Sequence, residues 1–345
     1  MYNTYLTIIV PALISMAVTY FSCNFLISYF YGAGIVGEDR NKGKAVKLAS
    51  SGGIAVAFGM LAGILTYTFG GSFVFVPTLP VLDLMAAALS IVLISFVGFL
   101  DDVNVKSQRV KSTDIMDIRE GLKQWQKPIL TVIGALPLMA INAGVSVVAI
   151  PLIGSIDFGL LYPLVIIPLA VVFVSNAFNL LGGFDGLQSG TGLVASLGLV
   201  IYSFFYSNSM GLLLSVLLFA ALVAFYPFNK YRARILPGDS FTYCVGGALV
   251  VIMVMGHEEA FGFVIFIPWI IEFFLHLRRK FKVSDLGIRQ SDGTFKAPYG
   301  KSIYSLTHIM MNIQRMREEE VANFLLALEA CFVVLAFALK ALGLL

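Results

Sequence analysis

Ten stretches of the chain are almost unbroken in apolar side chains: 4–30, 51–70, 79–100, 128–148, 160–176, 187–207, 209–226, 241–257, 260–277 and 321–343. Each is long enough to cross a bilayer as a helix, which takes about 17–25 residues. Between them lie short polar islands rather than anything large enough to be a soluble domain. The pattern predicts an all-α polytopic membrane protein of about ten transmembrane helices. It forms a single membrane-embedded domain, 1–345, and with an even number of crossings both termini share one side.

Charge placement orients the pattern. Of 345 residues, 59% are hydrophobic and only 12% charged, against roughly a quarter charged in soluble domains. The chain holds 23 Lys and Arg, and all but Lys340 fall in four loops, 31–50, 101–127, 227–240 and 278–320. Ten crossings put these loops, with 177–186, on one side. The positive-inside rule makes that side cytoplasmic and places both termini outside. The opposite side carries the acids Asp83, Asp157, Glu258 and Glu259 without a catalytic pattern. The first apolar run exceeds the h-region of a cleaved signal and lacks a basic n-region, so it is expected to be a span. Cys23, Cys244 and Cys331 have no CxxC spacing and are expected to be small buried or lipid-facing hydrophobes.

Candidate chemistry sits at the cytoplasmic ends of the spans. "GEDRNKGKAVKLASSGG" (37–53) mixes Lys42, Lys44 and Lys47 with Gly and Ser. It reads as a basic topogenic loop or as a phosphate contact, since backbone N–H groups and Lys suit anionic oxygens. "VGFLDDVNV" (97–105) places Asp101 and Asp102 at a helix C-terminus, where carboxylates oppose the macrodipole and need water, a partner or a cation. "FVSNAFNLLGGFDGLQSG" (173–190) carries Asn176, Asn179 and Asp185 among Gly182, Gly183 and Gly186. A plain turn needs fewer such residues, and glycines allow the backbone close to a ligand. In "PFNKYRARILPGDSFTYCVGG" (227–247), Asp239 is either a helix N-cap or a metal ligand, roles that are compatible. Ile115, Ile118, Leu122 and Trp125 predict an interfacial amphipathic helix over 112–126. The loop 278–320, with Arg289 and His308, is turn-rich, a substrate lid or a disordered basic tail.

Several classes are set aside. No HExxH or paired-His spacing is present, which argues against a zinc site. Nor is there a Walker loop, a GxSxG elbow or a dinucleotide fingerprint. Carboxylates and amides at a membrane surface suit hard, oxygen-bound Mg²⁺, and neighbouring Lys and Arg suit phosphate. This points to phosphoryl transfer from a water-soluble donor to a membrane-resident acceptor. Rival classes are a secondary transporter, whose polar sites lie nearer the midplane, and a lipid-phosphate phosphatase, which would need a nucleophile array not seen here.

Together the islands resemble the polyprenyl-phosphate N-acetylhexosamine-1-phosphate transferase family over about residues 30–310. "FLDDVNV" is similar to its aspartate pair, "NAFNLLGGFDGL" to its nucleotide loop, "PGDSFTYCVGG" to its GD motif, and "EDRNKGK…SSGG" to its first cytoplasmic loop. The resemblance implies Mg²⁺, with Mn²⁺ as the alternative, held by Asn179 and Asp239. It implies that Asp101 and Asp102 orient the lipid phosphate, Lys127 meets the pyrophosphate, and Asp185 reads the uracil. Asp39, Asn41, Lys42, Asn176 and Gly186 complete the implied substrate contacts, with Arg289 and His308 standing in for the family's sugar-recognition motif. Gly182 stands where most bacterial members have Asp, and Ser50–Ser51 where many have Glu. The resemblance therefore leans to the eukaryotic and archaeal members. The expected reaction is transfer of N-acetylglucosamine-1-phosphate from UDP-GlcNAc to a dolichyl-type phosphate. Another UDP-N-acetylhexosamine is the alternative donor. The expected partners are those substrates and membrane lipid, not nucleic acid; a homodimer is left open.

Overall fold

In the computed structural model, residues 2–39, 41–42, 46–104, 122–123, 125–150, 154–206 and 209–345 are described. In chain order, α1 (Tyr2–Ala33) leads to a hairpin, β1 (Val36–Asp39) and β2 (Val46–Ala49), then α2 (Gly53–Phe73) and α3 (Val81–Asn104). Next come α4 (Gln126–Thr131) and α5 (Leu136–Ala140), joined by a 3-10 turn, and a second hairpin, β3 (Val147–Ile150) and β4 (Gly154–Asp157). A π turn at Tyr162–Ile166 opens α6 (Ile167–Leu180), followed by α7 (Leu187–Tyr206), α8 (Ser209–Asn229) and α9 (Gly238–Gly256). The chain ends with α10 (Glu259–Ile265), α11 (Ile267–Leu277), β5 (Ile288–Arg289), β6 (Phe295–Lys296), α12 (Leu306–Ile313) and α13 (Glu318–Ala341).

Eight helices among the described residues are long and apolar enough to cross a membrane, and α10 with α11 forms a ninth, bent by 56°. The bend follows from Pro268, which has no N–H to give the preceding turn. Large apolar side chains such as Phe21, Phe25, Phe69 and Phe73 point outward, which suits a lipid environment and would be a liability in water.

The predicted span 128–148 needs correction. Its helix stops at Ala140, and 147–150 is a strand paired with 154–157. Asn142 and Gly144 both take positive φ, which ends the helix. The remaining segment, Gln126–Ala140, is short for a full crossing. It still runs the length of the bundle: Lys127 meets the C-terminal end of α3, while Ile141–Ala143 line a cavity with Asp83 and His257 at the other end. The amphipathic helix predicted over 112–126 lies mostly outside the described residues.

The centre of the bundle is α9, in which every residue from Ser240 to Gly256 is buried. It is wrapped by α2, α3, α6 and α8. Close approach needs small residues. A Cβ on Gly98 of α3 would run into the backbone of Asp239 and Ser240, and one on Gly53 of α2 into the backbone of Ser240 and Phe241. Backbone cannot swing away as a side chain can. Gly98→Ala is therefore expected to destabilise the protein by about 1–3 kcal/mol, read as a lowered thermal midpoint in detergent. An unchanged midpoint would show that α3 and α9 can part without cost.

The interhelical loops that carry the sequence islands gather at one end of this bundle. The Gly52 and Gly53 N–H groups donate to the carbonyls of Leu236 and Pro237, and Leu236 N–H donates to Ala49. These bonds seat the β1–β2 hairpin against the start of α9. The loop 278–320 is folded rather than a basic tail, with β5, β6 and α12 ordered against the bundle.

Candidate active site

Two polar clusters at this end gather the residues of the sequence islands. The first surrounds the N-terminal turn of α9. Lys127 Nζ lies 2.7 Å from Asp101 Oδ2 and 2.8 Å from Asp239 Oδ2, so one ammonium bridges two carboxylates. Asp101 also accepts from the Leu122 N–H. Asp102 takes a different part: its carboxylate accepts from the N–H groups of Asp239 (2.7 Å) and Ser240 (3.1 Å) and from Ser51 Oγ (2.8 Å). It thus caps α9 from outside, satisfying N–H groups that a helix start leaves open. The cap fixes the direction in which Asp239 leaves the helix.

Asn176 and Asn179 project from the last turn of α6 toward the same place. Asn179 Oδ1 accepts from Thr242 Oγ1 (3.0 Å), and the side chain reaches Asp239. Asn176 Oδ1 accepts from the Tyr243 hydroxyl at 3.1 Å, while its Nδ2 donates to Val172 O at 2.7 Å. Asp101, Lys127, Asn179 and Asp239, which come from four separate segments, therefore converge, with Asp102 and Asn176 beside them.

The second cluster is built on Lys42. Its Nζ pairs with Asp185, with Glu318 Oε2 (2.8 Å) and with Asp39 Oδ2 (3.3 Å), and lies 4.6 Å from the centre of the Tyr231 ring. Asn41 Nδ2 donates to Gly183 O (2.6 Å) and Glu318 Oε1 (3.2 Å). Asp185 receives the Ala233 N–H at 2.9 Å, and its own N–H donates to Glu318 Oε1 at 3.0 Å. Gly186, at φ +75, makes the turn that presents Asp185; a Cβ there would sit 3.1 Å from Lys230 Cα. Asp39, Asn41, Lys42, Tyr231 and Glu318 line a cavity of about 540 Å³, with Arg232, Arg289 and Arg317 on its wall, and Asp185 lies behind Lys42.

Burial, then the charge of Glu318, pushes the Asp185 carboxyl up to about 6, against the pull of Lys42 and the Ala233 N–H. Burial pushes the Lys42 ammonium down, but its bonds to Asp185 and Glu318 outweigh this and hold it above the usual lysine range. A carboxyl poised near 6 beside a fixed cation at a cavity wall is the kind of perturbed pair found at functional sites.

His308 is not brought to either cluster. It is fully buried, with one ring nitrogen on Ser284 O (2.9 Å) and the other taking the Tyr304 N–H (3.2 Å). Burial pushes this imidazole below its usual range. It braces its own loop and offers no free nitrogen to a substrate in this conformation. Conversely, Glu318 escaped the sequence reading although it ties Asn41, Lys42 and Asp185 together. Its only signal is an acidic run, Glu318–Glu320, opening the last span; its Lys42 partner is 276 positions away. Thr242, Tyr243 and Ser51 were missed for the same reason.

A helical bundle with a lysine-bridged carboxylate pair and a cation-walled cavity at one end defines a polytopic membrane protein with a candidate site suited to phosphate. The pattern of glycosyl transferase family 4 matches residues 84–257. A protein of Saccharolobus solfataricus is 32% identical over 338 residues, covering 97% of both chains; its provisional name is UDP-N-acetylglucosamine–dolichyl-phosphate N-acetylglucosaminephosphotransferase. A Sulfolobus acidocaldarius protein of the same provisional name is 28% identical over 96% of this chain and 95% of its own. The phospho-N-acetylmuramoyl-pentapeptide-transferase of Clostridium perfringens is 30% identical over 75% of this chain and 76% of its own. The chain belongs to glycosyl transferase family 4.

Proposed function

We propose that this chain transfers N-acetylglucosamine-1-phosphate from UDP-GlcNAc to a dolichyl-type polyprenyl phosphate, the first membrane step of glycan assembly. The observation that carries the reading is the convergence of Asp101, Lys127, Asn179 and Asp239 at the same end of the bundle as the cavity lined by Lys42 and Glu318. The names of the archaeal relatives support the same donor and acceptor. The site faces the cytoplasm, as the placement of Lys and Arg implies.

The donor set suits magnesium. Asp239 offers carboxylate oxygen where an ammonium already sits, and Asn179, whose amide N–H faces Asp239 while its Oδ1 takes the Thr242 hydroxyl, would turn its amide over to offer oxygen as well. Mg²⁺ held by Asn179 and Asp239 would supply neutralisation of the diphosphate's charge. The remaining work falls to the chain. Asp101 positions the acceptor phosphate and Lys127, and Lys127 offers its ammonium to the donor pyrophosphate. Lys42, Asp185 and Asn41 hold the nucleoside end, with Glu318 keeping all three in place. Arg289 at the cavity wall suits remaining phosphate charge or the sugar. An oxygen of the lipid phosphate attacks the donor's β-phosphorus, that P–O bond forms, and the bond to the bridging oxygen breaks as UMP leaves. Phosphate monoesters have a second pKa near 6, so the nucleophile is mostly dianionic at neutral pH and needs no strong base. An apolar cavity of about 240 Å³ lies along α6 from Tyr162 to Val174 and suits part of the acceptor's isoprenoid chain.

The deciding assay uses purified protein in detergent with UDP-GlcNAc, dolichyl phosphate and Mg²⁺. UMP is expected to appear in step with lipid-linked GlcNAc diphosphate. No UMP from any member of a UDP-N-acetylhexosamine panel would favour a transporter, and inorganic phosphate released from the lipid would favour a phosphatase.

Ionised Asp185 is the form that pairs with Lys42, and its carboxyl titrates at about 6. Donor affinity is expected to fall as the pH drops from 7 through 6 and Asp185 takes up a proton. Asp185→Asn is expected to bind weakly but with a flattened profile over that window. A wild-type KM for the donor that is level between pH 7 and 5 would remove Asp185 from the nucleoside site.

A further inference from the structure

The transferase reading leaves a buried titratable cluster unused, at the base of the loop that carries Arg289. Glu272 and His276 lie one turn apart on α11, and Asp285 follows in the loop. His276 Nε2 is 2.9 Å from Glu272 Oε1 and 2.9 Å from Asp285 Oδ1. Glu272 is fully buried and His276 nearly so. One ring nitrogen carries at most one proton, so it cannot give a well-formed bond to two carboxylates at once. Asp285 Oδ1 is accordingly a buried oxygen with no hydrogen-bond partner. If both carboxylates are ionised and the imidazole protonated, the trio keeps a net negative charge out of water, which is costly. A divalent ion on a neutral imidazole brings the sum to zero and gives all three atoms a partner.

We propose that Glu272, His276 and Asp285 bind a divalent transition-metal ion, zinc by preference, that clasps the loop 285–306 onto α11. The three ligand atoms lie within 4.8 Å of one another. Zinc bonds of about 2.0–2.2 Å place neighbouring ligands about 3.3 Å apart in a tetrahedron, so the two 2.9 Å pairs open slightly while the Glu272 and Asp285 oxygens, within 4.8 Å of each other, draw together. A mixed imidazole and carboxylate set suits zinc rather than the all-oxygen magnesium site. His308 is no fourth ligand, since both its nitrogens are committed within the loop; that place falls to water.

The loop is already pinned here at both ends. Glu272 Oε2 accepts the Leu306 N–H at 2.7 Å, and Thr307 Oγ1 donates to the Asp285 carbonyl at 3.0 Å. Between these anchors lie β5, β6 and Arg289 at the cavity wall. A metal at this point sets how firmly that wall is held. The spacing Glu-x-x-x-His with an Asp nine residues on lacks the paired histidines that a sequence scan looks for, which is why the scan argued against zinc. The inference does not rest on the transferase reading.

The test uses the full-length protein in detergent, with magnesium in excess throughout. Zinc is stripped with a chelator, then titrated back by calorimetry, and retained metal is measured by elemental mass spectrometry. One zinc per chain is expected, together with slower proteolysis within 285–306. His276→Ala and Asp285→Asn are each expected to weaken zinc binding more than about 100-fold, beyond the usual effect of an outer-shell change. Asp239→Asn is expected to keep its zinc, which separates this site from the proposed magnesium ligands. If His276→Ala does not fold, the wild-type titration and Asp285→Asn still decide. Wild-type protein that takes up no zinc, or Asp285→Asn with wild-type affinity, overturns the proposal.

Discussion

Asp239→Asn is expected to lower sugar-phosphate transfer by about 100- to 1,000-fold, the usual cost of removing one preorganised electrostatic group, while the chain stays folded. The amide matches the carboxylate in shape. The backbone of residue 239 would keep its bonds, donating to Asp102 at 2.7 Å and accepting from Thr242 at 3.2 Å, so the start of α9 should not move. What disappears is the negative charge that Lys127 and Asn179 surround and that the proposed magnesium requires. UMP release should fall in kcat with a wild-type elution volume and thermal midpoint. Near-normal turnover would take Asp239 out of the reacting centre.

Lys127→Met should act on folding and catalysis together. Asp101 and Asp239 face each other across the Lys127 ammonium. A thioether of similar length leaves the two carboxylates without their shared partner. Breaking a mostly buried pair in this way costs about 3–5 kcal/mol. The same substitution removes the cation assigned to the donor pyrophosphate, so the KM for the UDP-sugar should rise. Adding Asp101→Asn relieves the repulsion and should restore much of the lost stability, without restoring turnover. A Lys127→Met protein with unchanged melting and unchanged donor kinetics would contradict both roles.

Much of the fold was legible because lipid imposes a simple rule: a crossing segment must be apolar for about 20 residues. The spans around α2, α3, α7, α8 and α9 could be read from hydropathy for that reason. The rule fails where backbone chemistry interrupts an apolar run. Asn142 and Gly144 end a helix inside 128–148, and Pro268 bends 260–277, yet single residues hardly shift a hydropathy average taken over about 20 residues. The polar islands were legible by contrast, since Asp101, Asn179 and Asp239 are conspicuous at the ends of apolar runs. Their division of labour was not. Asp101 and Asp102 are adjacent in sequence and look equivalent, but helical rotation turns one to Lys127 and the other to the N-terminus of α9. His308 stood in for the family's sugar-recognition motif, whereas packing commits both its nitrogens inside the loop.

The sequence by itself determined a helical membrane protein, its number of apolar runs, the shared side of its basic loops, and the residue types available for phosphate chemistry. These follow from transfer energies and charge, which depend on local composition alone. Only the tertiary structure decided which polar groups meet: Lys127 between Asp101 and Asp239, Glu318 across Asn41, Lys42 and Asp185, and the trio Glu272, His276 and Asp285. Such meetings depend on helix rotation and close backbone approach at positions like Gly98, because hydrogen bonds and ion pairs act over about 3 Å while their partners lie up to 277 residues apart.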